Sequence, residues 1–394
     1  MNKEKKIIFV IKGLNAGGVE KALVTFANLL TANYDISIYS IEGKGDFEKD
    51  LKESIEVIYA SRNLAKYVNL MSTHKNQLRN DLKQFFRKGF YRYMQKAGLG
   101  KLTDIGLFIE VKISDKYDIA ISYTGYPGIW DEIVLSKIEA EKKIVWIHND
   151  PYRLGIDRIK AKQYYGRFDA IINVSEDCKD KFNSICPDLM DKNYLIYNII
   201  DEEELKKKSN GMSPYNSDKF IISTVARIQN SSKRFDRIIS CCEKMVKEGH
   251  ENFKWHIIGD GADMGWLKKQ IELKNLTEHI IASGFNLNPY PYIKHSDLFV
   301  LASDYEGLPV TLIEAKILGV PIVVTNFDCA KEAVKDGYNG IIVDKDVDSL
   351  FEGIMLLMQN KDAYRRLKSN AMMFYGTTDL SLSKFNKTLR DIKL

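Results

Sequence analysis

The sequence predicts an α/β protein built as two Rossmann-like domains, each a parallel sheet covered by helices. Short Ile- and Val-rich runs alternate with amphipathic stretches of helical length along both halves, the βαβα order that parallel sheets require. The chain has 394 residues, 45% of them hydrophobic, and chains beyond about 250 to 300 residues usually divide into more than one core. The polar, charged interval from Asp201 to Asn216 separates the two alternating halves and reads as a linker.

Strand candidates in the first half are residues 6–12, 35–41, 55–59, 117–123, 143–148 and 169–174; in the second half they are 219–226, 253–259, 279–283, 296–302, 321–325 and 340–343. The expected domains are 1–200 and 201–379, with 380–394 as a terminal helix. Five cysteines (Cys178, Cys186, Cys241, Cys242, Cys329) form no Cys-x-x-Cys pair and have no histidines at metal-ligand spacing. Such a set suggests reduced thiols and a cytosolic setting. The apolar run Ile7 to Ile11 is too short for a secretory leader and reads as a first strand. No window approaches the roughly 18 apolar residues of a membrane span, so the expectation is a soluble or peripheral protein.

The first turn, Lys12-Gly13-Leu14-Asn15-Ala16-Gly17-Gly18-Val19-Glu20, leads into a helix through Leu23, Phe26 and Leu30. Glycines at a strand-to-helix turn either supply φ > 0 or let a phosphate approach helix N-terminal amides. The net charge of +5 is unevenly spread, since residues 61–113 hold eleven Lys or Arg against three acids. There Leu78, Leu82, Phe85, Phe86, Phe90, Tyr93 and Met94 recur at roughly helical spacing among Arg79, Lys83, Arg87, Lys88, Arg92 and Lys96. That pattern fits a helix with a core-facing apolar side, or a basic amphipathic helix lying on an anionic membrane surface. No nucleic-acid-binding module accompanies the charge. His148 closes the strand Lys143 to Ile147; a strand-end histidine can pack or cap, or can serve a substrate hydroxyl.

In the second half, Phe220 to Val225 runs into Ala226 and Arg227, and Lys233-Arg234 follows after a polar turn. Cations at a strand's carboxyl edge suit phosphate, Arg bidentately and Lys as a point charge. Which of Lys233 and Arg234 turns inward is left open. Gly259-Asp260-Gly261 lacks the third glycine of a dinucleotide fingerprint, its place being Met264. Glu306-Gly307-Leu308-Pro309-Val310-Thr311-Leu312-Ile313-Glu314 sets two carboxylates around a helix start between two strands, with Pro309 in the first turn and the helix ending at Gly319. Free backbone N–H groups near residues 308–311 would suit an anion. Asp344-Lys345-Asp346 and Asp346-Val347-Asp348 spell Asp-x-Asp but read as turn and helix-start residues.

The segment Glu306 to Glu314 resembles the Glu-x7-Glu signature of retaining GT-B glycosyltransferases, in particular glycosyltransferase family 4. The resemblance spans nearly the whole chain and is strongest over 220–345. It implies a GT-B fold, two Rossmann-like domains whose parallel sheets face a central cleft, with residues 380–394 crossing back to the first. It implies that Glu306 lies beside the donor sugar and Glu314 bonds the nucleotide ribose. Gly307, Leu308, Pro309, Val310 and Thr311 would contact the diphosphate. Arg227 and Lys233 would neutralise the leaving group, although Arg234 stands where the family more often has glycine after the lysine. His148 would touch the donor sugar, Gly17 and Gly18 would meet the diphosphate and acceptor side, and Gly259, Gly284, Phe285 and Asn286 would lie near the base.

The implied activity is metal-independent, retaining transfer from a nucleoside-diphosphate sugar, most simply UDP-linked, with no cofactor. The acceptor would be a hydroxyl of a cell-envelope glycan, a lipid-linked saccharide or a polyol-phosphate polymer. The expected location is cytoplasmic, with peripheral attachment to the inner face of the plasma membrane through 61–113. A non-catalytic sugar-nucleotide-binding partner subunit and a GT-B-fold epimerase are the alternatives.

Overall fold

The computed structural model describes residues 5–15, 17–72, 111, 113–124, 128–372 and 378–394. The chain divides into two compact units, one of Met1–Asn173, Phe182–Tyr194 and Phe385–Leu394, the other of Val174–Lys181 and Leu195–Lys384.

The first unit holds a seven-stranded sheet of β1 (Lys5–Ile11), β2 (Tyr34–Ser40), β3 (Glu56–Tyr59), β4 (Lys116–Ser122), β5 (Glu139–Ile147), β6 (Ala170–Asn173) and β7 (Asn193–Leu195). Its order is β3-β2-β1-β4-β5-β6-β7, and β1 pairs in parallel with both β2 and β4. Helices cover both faces of such a sheet, so its strands are continuous apolar runs; Ile7, Ile8, Phe9 and Val10 are all fully buried. One face packs Ile8, Val10, Ala120 and Val145 with Leu64, Ile133, Val134 and Phe182. Phe26 of the helix Gly18–Leu30 meets Phe385 edge-on, with 5.0 Å between ring centroids.

The second unit holds β8 (Phe220–Val225), β9 (Phe253–Ile258), β10 (Ile280–Gly284), β11 (Leu298–Leu301), β12 (Ile322–Thr325) and β13 (Ile341–Val343). They are ordered β10-β9-β8-β11-β12-β13 with parallel pairing. Counted within the unit, this is the order 3-2-1-4-5-6 of a doubly wound nucleotide-binding sheet. Its switch point, where ligands bind outside the carboxyl ends of the strands, lies between β8 and β11. Trp255, Ile257, Leu298 and Val300 pack with Ile238, Cys241, Leu267 and Ile354 in its core.

The structure departs from the sequence reading in three places. The interval read as a linker contains the helix Glu202–Lys208, capped by the Asp201 carboxylate accepting from the Glu204 amide at 2.9 Å. Its composition is polar because acids fill the first turn and lysines the last, matching the helix dipole. A seventh strand, β7, had no signal because Asn193-Tyr194-Leu195 is too short to show alternation. Pro309 is the N-cap, with Val310 the first helical residue.

The helix Arg62–Ser72 opens the basic segment; residues 73–110 and 112, which carry most of its charge and its amphipathic pattern, lie outside the described residues. Among the described residues, no helix is long and apolar enough to cross a membrane.

Candidate functional site

Two loops at the carboxyl ends of β8 and β11 bring Lys233 and Glu306 together. After β8 the chain passes Arg227 and makes a short helical turn, Asn230–Lys233. After β11 it runs through Ser303 and Asp304 to Glu306. The Asp304 amide donates to the Ser232 carbonyl at 2.9 Å, which ties the two loops. The Lys233 ammonium bonds Oε1 of Glu306, and the Ser303 hydroxyl donates to the same oxygen at 2.6 Å. Ser303 is held in turn by the Thr325 hydroxyl, which donates to its carbonyl at 2.5 Å. The Lys233 and Glu306 side chains keep 21% and 11% of their exposure, so the pair is sheltered but reachable.

Arg234 has a different task. Its guanidinium spans Asp236 and Asp304 at 2.8 Å each, and Arg237, 3% exposed, reaches Asp304 at 2.8 Å from the other side. Burial pushes the Asp304 carboxyl up, but the two guanidinium partners outweigh it and hold it below its ordinary value. Lys233 is therefore the inward cation. Arg227 is exposed, and its side chain has no acidic partner among the described residues.

The carbonyls at the start of the Glu306–Thr311 segment are each held by a side chain from elsewhere. The carbonyls of Glu306, Gly307 and Leu308 accept from the Cys329 thiol at 3.6 Å, the Cys178 thiol at 3.7 Å and the Asn198 amide at 3.2 Å. In a planar trans peptide the N–H is antiparallel to the C=O, so the Gly307 amide points away from Cys329 and the Leu308 amide away from Cys178. Pro309 has no N–H to offer. Val310 and Thr311 follow in the first turn of the helix Val310–Ile317, where amides have no intrahelical acceptor. The helix closes at Gly319, whose φ is +70°. Its amide bonds the Lys316 carbonyl and that of Val320 the Ala315 carbonyl, a Schellman pair. Glu314 and Lys316 are 1% and 4% exposed, and burial lowers the Lys316 ammonium to about 8.

Gly259 and Gly284 form the neighbouring edge. Gly259 has φ +150°, and a Cβ there would lie 1.9 Å from the Ala226 carbonyl oxygen. The glycine thus lets the turn after β9 pack under the Arg227 loop, which Asp260 and Asp263 bond through Ile228 at 2.9 and 3.1 Å. The Gly259 amide donates to the Gly284 carbonyl at 2.8 Å. Phe285 beyond it is 46% exposed, and the Asn286 side chain accepts from the Asn288 amide at 2.9 Å. Asp346, from the Asp-x-Asp spellings, N-caps the helix Val347–Gln359 by accepting from the Ser349 amide at 2.7 Å.

In the first unit, Gly17 is the N-cap of the helix Gly18–Leu30 at φ −176°, which is extended backbone, so a left-handed turn is not the reason for glycine there. A Cβ on Gly18 would meet nothing within 4 Å, which leaves the helix start open to approach. His148 is 5% exposed and sits in an aromatic cluster, 4.4 Å from the Tyr123 ring and parallel to Trp146 at 6.2 Å.

Sequence reasoning does not single out Ser303, Cys178, Asn198 or Cys329. Ser303 lies three residues from Glu306 and is within reach of a motif argument. The other three meet the loop from 129, 110 and 23 residues away, and no spacing rule covers that.

Residues 205–373 match the family model described as glycosyl transferases group 1. An uncharacterized glycosyltransferase of Methanocaldococcus jannaschii is 30% identical over 213 residues, which is 50% of this chain and 52% of that protein. The poly(ribitol-phosphate) alpha-N-acetylglucosaminyltransferase of Staphylococcus aureus is 28% identical over 42% of this chain and 34% of its own length. The chain thus spans about half or less of these two relatives. A Campylobacter jejuni alpha-1,4-N-acetyl-D-galactosaminyltransferase, named for an undecaprenol-diphosphate-linked GalNAc saccharide, is 24% identical over 93% of this chain and 92% of that one.

Among solved structures, S. aureus TarM, in a complex with fondaparinux, alpha-GlcNAc-glycerol and UDP, matches 99% of this chain and 100% of its own with a TM-score of 0.71 at 14% identity. Anabaena HepE with UDP and glucose matches 98% and 99% with a TM-score of 0.70 at 16% identity. The fold is GT-B, two Rossmann-like domains with parallel sheets.

Proposed function

We propose that this chain is a retaining glycosyltransferase of the family 4 type, moving a sugar from a nucleoside diphosphate, UDP in the simplest reading, to a hydroxyl of a cell-envelope acceptor. The observation that carries the proposal is the Glu306 carboxylate, held by Lys233 and Ser303 at the sheet's switch point, followed by the Gly307 and Leu308 amides that point away from the thiols holding their peptides. The match to glycosyl transferases group 1 covers those residues. The choice of UDP draws on the nucleotide in the TarM and HepE structures. The acceptor classes, polyol-phosphate polymer and lipid-linked saccharide, draw on the Staphylococcus and Campylobacter relatives.

In this reading the bond from the anomeric carbon to the diphosphate breaks while the acceptor oxygen bonds that carbon from the same face. The acceptor proton passes to a diphosphate oxygen. Arg227, the Lys233 ammonium and the amides of Gly307, Leu308, Val310 and Thr311 take up the charge that develops on the leaving group. Lys233 has three N–H donors, so its bond to Glu306 leaves two for phosphate oxygens. Glu306 steadies the positive charge building on the sugar, Glu314 holds the ribose, and His148 contacts the donor sugar. Gly17 and Gly18 admit the diphosphate and acceptor, and Gly259, Gly284, Phe285 and Asn286 line the base side. These cations and amides do the neutralising that a divalent metal performs in other transferases, so no metal or other cofactor enters the scheme. The basic segment 61–113 would supply peripheral attachment to an anionic membrane on the cytoplasmic side.

The test is nucleoside-diphosphate release from a panel of sugar nucleotides, with and without chelator. Removing one preorganised charge-stabilising group typically costs about 100- to 1,000-fold in turnover. Lys233→Ala and Glu306→Ala should each fall by that order, with release by the unaltered protein unchanged by chelator. Release that needs a metal, or that survives both substitutions, would remove this mechanism.

A further inference from the structure

The three side chains holding the Glu306–Leu308 carbonyls have no part in the chemistry above, and their geometry points to a role of their own. We infer that Cys178 and Cys329 are positioning residues for the diphosphate: by holding the Gly307 and Glu306 carbonyls, they aim the Leu308 and Gly307 amides of the same peptides away from themselves and at the ligand, while Asn198 anchors the next carbonyl, whose peptide carries no N–H. The inference rests on the donor-binding reading of this loop.

Each of the three is buried, with both cysteines fully so and Asn198 5% exposed. Each donates to a different carbonyl, the Cys329 thiol to Glu306, the Cys178 thiol to Gly307 and Asn198 to Leu308. Without these donors the peptide planes of a loop containing a glycine could rotate, because glycine accepts a wide range of φ and ψ. A hydrogen bond accepted by a carbonyl also polarises the N–H of the same peptide, so the thiols act on the amides of Gly307 and Leu308 electronically as well as sterically. Burial pushes the Cys329 thiol far up, which keeps its proton available for donation at any working pH.

The thiols are themselves held firmly. Cys178 is the third residue of the helix Glu176–Ile185 after its Ser175 cap, and its amide bonds the Ser175 hydroxyl at 3.1 Å. The amides of Glu176 and Asp177 bond the two oxygens of Glu332 at 2.8 and 2.9 Å. Cys329 N-caps the short helix Ala330–Ala333 that carries Glu332. The two cysteine-bearing segments are thus locked to each other behind the loop, and a displacement of either would be passed to the amides.

The experiment measures binding of UDP, GDP and ADP by calorimetry, and of the matching nucleosides by ligand-observed NMR, for the unaltered protein and for Cys178→Ala, Cys329→Ala, the double alanine variant, Cys178→Ser and Cys329→Ser. Melting temperatures run in parallel. A weak hydrogen bond of this kind is worth about 0.5 to 1 kcal/mol, so each alanine should weaken the preferred diphosphate about two- to fivefold, and the pair about five- to thirtyfold. Nucleoside binding should stay unchanged, and each serine, which keeps a donor, should restore diphosphate binding to within about twofold. A cysteine that only fills space would lower the melting temperature without separating nucleoside from diphosphate, and that result overturns the inference while leaving donor binding intact. Unaltered diphosphate affinity in a folded double alanine variant does the same. If the unaltered protein binds none of the three diphosphates, the donor-binding reading fails first and the inference falls with it.

Discussion

Arg234 occupies the left-handed region at φ 54°, ψ 52°, where a side chain costs about 1 to 2 kcal/mol relative to glycine. Its position explains why the resembling pattern usually has glycine after the lysine: the chain must reverse between Lys233 and the helix Phe235–Lys247 while keeping Lys233 on Glu306. Here the strain is offset by the bonds to Asp236 and Asp304, partly exposed ion pairs worth up to about 1 kcal/mol each. Arg234→Gly should therefore be close to neutral in thermal stability. Because the backbone that aims Lys233 persists, it should also keep nucleotide release within about threefold, in contrast to the collapse expected of Lys233→Ala. A large loss of release in Arg234→Gly would mean that this guanidinium contacts the ligand. Asp304→Ala should behave differently, since it strips a carboxylate from the buried Arg237, 3% exposed. Breaking a buried ion pair costs about 3 to 5 kcal/mol; the Ala302 carbonyl remains as a partner, so about 2 to 3 kcal/mol by chemical denaturation is expected.

At the level of elements, the helix starts and stops behind the loop set the site, and they differ in how readily the sequence shows them. The end of the helix Val310–Ile317 was legible because Gly319 and Pro321 follow each other closely in the chain, as were the apolar runs that became β1, β8 and β12. The start of the helix Glu176–Ile185 was not, because the carboxylate that satisfies two of its amides, Glu332, lies 155 and 156 residues away. Separations of 129 and 110 residues hid Cys178 and Asn198 as loop contacts, while Lys233 and Glu306 were legible as individuals but not as a pair, because no local rule joins residues 73 apart. Glu332→Gln tests how much that distant cap matters. It turns one accepting oxygen into an amide NH2 facing a backbone N–H, so one bond at a partly exposed helix start is lost, a cost of about 0.5 to 1.5 kcal/mol. Urea denaturation of the variant should show a midpoint shift with unchanged slope; a loss below about 0.3 kcal/mol would mean that the helix start is satisfied in some other way.

Over the whole molecule, partly or fully buried carboxyls with and without guanidinium partners respond to pH in opposite directions. In the second unit, Asp236 and Asp304 are each pushed up by burial but pulled further down by their guanidinium partners. Their contribution is present above the unfolded carboxylate value of 3.8 and is lost as pH falls through their lower folded values. In the first unit, Asp131 is 1% exposed. Burial raises its carboxyl to about 7, although the Ser122 hydroxyl and the Gly128 amide, at 2.5 and 2.9 Å, favour the charged form. A raised carboxyl holds a proton in the folded state that the unfolded chain has released, so this contribution is present below 3.8 and is lost as pH rises through about 7. A tenfold gain in proton affinity is worth about 1.4 kcal/mol, so a carboxyl raised from 3.8 to about 7 contributes at most on the order of 4 kcal/mol. Asp131→Asn keeps the shape, lets the amide oxygen accept from Gly128 and its nitrogen donate to Ser122, and removes the titration. Melting followed from pH 5 to pH 8 should show the unaltered protein losing stability in the transition that involves the first unit, whereas Asp131→Asn stays level and is the more stable of the two at pH 8. Parallel pH profiles for the two proteins would mean that Asp131 is ionised in the folded chain at neutral pH and that its burial is matched by solvation this geometry does not provide.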